Sequence, residues 1–134
     1  MNDGPVIDRI GGEPTVRDLV ARFYDLVETQ AEAAAILRLH FRGHGLRHAR
    51  AEQFDFLCGF FGGRRYYAER HGHMNLREIH AHLPVRPSDA EAWLFCMDRA
   101  LDDTGIAEPL KGQIAATFAR AARMLVNRPE EASA

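Results

Sequence analysis

The chain has 134 residues, 46% of them apolar and 27% charged, which is enough for one hydrophobic core and excludes a disordered or fibrous protein. Lys and Arg total 17 against 19 Asp and Glu, a formal net charge of −2, so no overall field draws it to nucleic acid or an anionic membrane. The opening MNDGPVIDRIGG has neither the basic start nor the apolar run of a secretory signal, and no 18 consecutive apolar residues occur; a cytoplasmic protein is the expectation.

The chain is expected to form one domain over 1–134, with 1–9 as an N-terminal extension. From 14 to 28 the apolar residues Val16, Leu19, Val20, Phe23, Tyr24 and Val27 repeat at the spacing of one helical face. Gly11 and Gly12 precede that helix, and Pro14 suits its first turn because no partner awaits the missing N–H there. Residues 31–39 are rich in Ala and Leu and read as a short helix that ends before Gly43 and Gly45. A third helix runs from about 48 to 61. Its Phe54, Phe56, Leu57, Phe60 and Phe61 are too many large groups for a narrow stripe, so it faces a wide core or an apolar cavity.

Gly62 and Gly63 end that helix, a polar stretch follows, and a short run spans 76 to about 82. Pro84 and Pro87 mark a loop. Ser88 stands three residues before Glu91 in the manner of a capping box, and Trp93, Leu94, Met97, Ala100 and Leu101 continue the helix to Gly105. A last helix over roughly 108–126 carries Leu110, Ile114, Phe118, Ala121 and Leu125, and 128–134 read as a flexible tail. No segment alternates with the period of a strand. Cys58 and Cys96 lie inside apolar helical segments without CxxC spacing and read as buried thiols. The class is all-α, either an antiparallel bundle or a globin-like packing around a ligand.

All seven histidines fall between His40 and His82: His40, His44, His48, His71, His73, His80 and His82. Imidazole is the commonest neutral metal ligand, so the cluster points to iron, zinc or haem. His44 and His48, spaced i, i+4, suit chelation from one helical face. A non-haem bundle site uses Glu followed three residues on by His, and no ExxH occurs. A haem asks for one imidazole, an apolar slot and polar groups for its propionates. The Phe-rich helix supplies wall, Arg64, Arg65, Tyr66, Tyr67 and Arg77 are rim candidates, and His80 is the chosen ligand, although residue chemistry alone does not separate it from His82.

The segments FYDLVE at 23–28, LRLH at 37–40, FDFLCGFFGG at 54–63, YAERHGHMNLREIHAHLPV at 67–85 and AWLFCM at 92–97 together resemble the group II truncated haemoglobins over about 10–127. The double Gly, the HGH followed seven residues later by His, and the AWLxCM segment are the specific parts. The resemblance implies a globin-like two-over-two helical sandwich around haem b, with His80 on the iron. It also implies a distal ligand-binding set of Tyr24, Trp93, His40 and Gln53, with Ala49 at the small gate position. The expected haem contacts are His80, Tyr67, Arg77, Phe56, Leu57, Phe60, His71, Val85, Trp93 and Met97. Met74, Asn75 and Ile79 depart from the family's pattern; Ile79 replaces a common propionate contact, whose role passes to Arg77, Tyr67 or His71.

The function so implied is reversible binding of O2 and other diatomic ligands in a polar pocket. An alternative is a haem enzyme with peroxidase or nitric oxide dioxygenase activity, and a second is a non-haem, His-rich metal-binding helical protein. The expected partners are O2, CO, NO or peroxide, an external reductase for any turnover, and for a homodimer a second copy of the chain.

Overall fold

The computed structural model describes residues 4–34, 36–37, 46–81 and 83–130. Among them there is no strand, and the helices are α1 (Val6–Ile10), α2 (Glu13–Thr29), α3 (Leu46–Phe60), α4 (Tyr66–His71), α5 (Leu76–His80), α6 (Pro87–Asp103) and α7 (Leu110–Met124), with a 3₁₀ turn at Ala31–Ala33 after α2. In this two-over-two sandwich α2 packs on α3, α6 on α7, and α2 crosses α6.

The long helices form where the apolar period predicts them. In α2, the residues Val16, Leu19, Val20, Phe23, Tyr24, Leu26 and Val27 are all buried, so one stripe faces the partner helices. The face of α6 that meets it carries Leu94, Met97 and Leu101. Cys58 and Cys96 are free thiols in this core, and burial pushes each thiol up to about 11.

Four expectations change. Residues 6–9, read as part of an extension, belong to α1; Ile7 joins the core and its N–H donates to the Phe61 carbonyl at 2.9 Å. The polar stretch after the Gly pair contains α4. The approach of α1 explains that pair: Gly62 has φ +90°, and a Cβ on Gly63 would come within 2.7 Å of Ile7 Cδ1. At the start of α6 the cap is Arg86, whose N–H donates to Asp89 Oδ2 at 2.9 Å, rather than Ser88 with Glu91. Pro87 takes the first turn, which shifts the frame by two residues. Finally, residues 128–130 are not a loose tail: the Ser88 N–H and hydroxyl donate to Glu130 at 2.7 and 3.1 Å.

Candidate functional site

The helices enclose a cavity of about 430 Å³, within the range of cofactor pockets. The expected Phe56, Leu57 and Phe60 of α3 form one wall, and Leu76, Ile79, Leu83 and Val85 another. Phe118 and Ala122 of α7, with Leu125 just after that helix, close it. The sequence reading gave α7 no part in the site; Phe118 looked like one more residue of an amphipathic stripe.

His80 ends α5 and lines the cavity. Its Nδ1 lies 2.9 Å from the Leu76 carbonyl. A carbonyl only accepts, so Nδ1 carries the proton, and the lone pair of the neutral ring sits on Nε2. The short helix makes this contact automatically, because residue 76 is one turn behind residue 80. The side chain of Asn75 accepts the Glu78 N–H and so caps the helix at its start.

Tyr24, Gln53 and Trp93 reach the same cavity from α2, α3 and α6. Tyr24 is 3% exposed, and burial raises its phenol far above the ordinary value, so it is a neutral O–H group at any physiological pH. The Gln53 amide nitrogen Nε2 is buried with no hydrogen-bond partner among the described residues. The Trp93 indole is fixed by rings on both sides, with Phe23 and Phe118 centroids each 5.3 Å away. Phe60 stacks on Phe118 at 5.2 Å, which extends the aromatic row to α3. Ala49 also lines the cavity. His40, His44 and His82 lie outside the described residues.

At the rim, Tyr67 and His71 line the cavity, whereas Arg64, Arg65, Tyr66 and Arg77 are not among its lining residues. Arg64 is held by Glu69 at 2.9 and 3.0 Å, and the Tyr66 hydroxyl donates to Glu13 at 3.0 Å. Both are spent on other contacts. Arg77 is exposed on α5. Ile79 contributes apolar wall at the position where the resemblance implies a propionate contact. Met97 is fully buried in the core rather than at the cavity surface. Glu52, which sequence reasoning passed over, accepts from His71 Nε2 at 2.9 Å and lies 3.3 Å from His48 Nε2. Among the described residues no lining residue is Lys or Arg, and His48 and His71 bring imidazoles to the rim. His73 is tied up locally, with Nδ1 accepting the Asn75 N–H at 3.0 Å. Among the described residues no three His, Cys, Asp or Glu side chains converge to hold a metal ion.

A polarised imidazole, an apolar hollow and buried polar donors fit an iron porphyrin, and an all-α two-over-two sandwich arranged around such a hollow defines a globin. The bacterial-like globin family profile matches residues 5–127. The group 2 truncated hemoglobin YjbI of Bacillus subtilis is 33% identical over 119 residues, covering 89% of this chain and 86% of the relative. The group II 2-on-2 hemoglobin of Agrobacterium tumefaciens superposes with a TM-score of 0.89 at 36% identity, over 97% of this chain and 98% of that one. A truncated, oxygen-avid haemoglobin of Bacillus subtilis gives a TM-score of 0.80 at 30% identity, over 92% of this chain and 100% of that one. The chain belongs to the group II truncated haemoglobins, the two-over-two globins, and the family's haem-based binding of small gaseous ligands comes with that membership.

Proposed function

We propose that this globin binds O2 and other diatomic ligands reversibly in a polar pocket, on haem b held by His80. The iron supplies the coordination site for the gas. The protein's own residues do the rest. His80 offers Nε2 because Nδ1–H is committed to the Leu76 carbonyl, and that hydrogen bond orients the ring and makes it a better donor to iron. Cys58 and Cys96 form no CxxCH attachment sequence, which supports the reading of a non-covalent haem b. Apolar walls from α3 and α7 exclude water; Tyr67 would meet the propionates at the rim, and His71 and His48 would do so on turning from Glu52.

The observation that carries the reading is the buried Gln53 Nε2 without a partner among the described residues, in the same cavity as Tyr24 and Trp93. A buried unsatisfied donor costs about 1–3 kcal/mol, and an acceptor with partial negative charge entering the cavity removes that cost. Dioxygen polarised by iron is such an acceptor. The relative described as oxygen-avid supports the same assignment. The resemblance would add His40, which lies outside the described residues, to this set.

The test is an absorption spectrum of the ferric, ferrous and carbonmonoxy forms, beside His80→Ala. The expected result is a haem spectrum in the parent, and a variant that loses pigment or keeps it only with added imidazole. A variant whose carbonmonoxy spectrum and haem retention equal the parent's refutes the assignment of His80.

A further inference from the structure

The geometry points to Asn127 as a positioning residue for the His80 side of the cavity. The reasoning rests on the haem reading above, and it concerns the segment after α7 that the sequence presents as a tail. The chain leaves α5 at His80 and returns to α6 through residues 81–86, two of which, Leu83 and Val85, line the cavity. Its described residues, 81 and 83–86, lack regular structure, so their backbone groups need partners from elsewhere. The Leu83 N–H turns back to the His80 carbonyl at 2.9 Å, which couples the loop directly to the residue that carries the imidazole.

The partners of Val85 and of the Leu83 carbonyl come from more than 40 residues away. The Asn127 side chain is used at both ends: Oδ1 accepts the Val85 N–H at 2.9 Å, and Nδ2 donates to the Leu83 carbonyl at 3.0 Å. The backbone completes the clasp, with the Asn127 and Arg128 N–H groups donating to the Val85 carbonyl at 2.9 and 3.1 Å. Glu130 adds a second fastening at Ser88. A carboxamide donates from one atom and accepts at another, and position 127 uses both functions. The clasp fixes Val85, which is 8% exposed, against the cavity, and holds the span through which His80 joins the rest of the fold.

The experiment compares the holoprotein with Asn127→Ala and Asn127→Asp, and with Arg123→Ala, which cuts the exposed α6–α7 pair to Glu91 as a control. Three readouts are taken: haemin transfer to an excess of acceptor apoprotein, amide hydrogen exchange at Val85, and the iron–imidazole stretching band of the ferrous form. Losing one to two net hydrogen bonds predicts faster haemin loss in Asn127→Ala by about 5- to 30-fold, with a shifted iron–imidazole band and accelerated exchange at Val85. Asn127→Asp retains the acceptor for the Val85 N–H and is expected to keep exchange there near the parent rate. Arg123→Ala leaves all three unchanged. The proposal is overturned if Asn127→Ala matches the parent in haemin loss and stretching band, whatever Val85 does, or if Arg123→Ala has the same effects. A parent chain that takes up no haemin removes the cofactor reading itself, and the proposal with it.

Discussion

Replacing Trp93 by Phe isolates a single hydrogen-bond donor. The indole packs between Phe23 and Phe118, each centroid 5.3 Å away, and a phenyl ring in its place keeps contact with both neighbours. What disappears is the Nε1–H. Hydrogen bonds to a partly charged acceptor contribute about 1.5–3 kcal/mol, so removing one would raise a dissociation rate by about 10- to 150-fold if nothing compensated. Two other donors, Tyr24 and Gln53, line the same cavity and take up part of the load, which puts the expected rise near the low end, about tenfold. The assay is stopped-flow displacement of O2 by excess CO, with association measured separately by flash photolysis. The effect belongs in the off-rate, because a donor that engages the ligand only once it has arrived does not gate its entry. An off-rate within twofold of the parent refutes the role of Trp93. Equal changes in both rates would instead make the indole a gate.

Two further outcomes follow from the titratable groups. Asp55 is held by Arg70, with Nη1 at 3.0 Å and the carboxylate side chain 8% exposed; burial raises its pKa while Arg70 lowers it. An acid whose pKa is raised on folding binds its proton more tightly in the native state, so stability falls as pH rises from its unfolded value, about 3.9, through the native one. Arg70→Ala lengthens that decline, and the variant should lose about 1 kcal/mol at pH 7 and less at pH 4 in urea titrations; an equal or larger deficit at pH 4 contradicts the sign. For Cys58 and Cys96, burial that pushes both thiols up to about 11 predicts no reaction with a disulfide reagent at pH 8 in the native state and two equivalents after denaturation. Prompt labelling of the native protein would show that one thiol opens to solvent.

What was legible in the sequence is what repeats or is locally enforced. The four long helices advertise themselves because a 3.6-residue period over 15 or more positions has no other economical explanation. Helix α1 spans 5 residues and α4 spans 6, too few turns for a period, and both are stabilised by contacts with distant chain. The candidate site divides along the same line. His80 emerges from a motif resemblance, and its tautomer is set by a residue four positions earlier. The rim does not emerge, because Arg64 and Tyr66 look available in one dimension and are consumed by Glu69 and Glu13 in three.

Asn127 is the clearest case of information absent from local sequence. Nothing in VNRPEE marks an asparagine for the loop at 83–85, since its two side-chain bonds span 42 and 44 residues, and the same residue would be unremarked in a frayed end. The clasp exists because α7 lies along α6 and stops beside α6's first turn, so the chain leaving α7 meets the chain entering α6. Helix lengths therefore determine the contact. In a two-over-two sandwich with so short a helix carrying His80, that meeting point is the place where the fold can hold the imidazole from outside its own element.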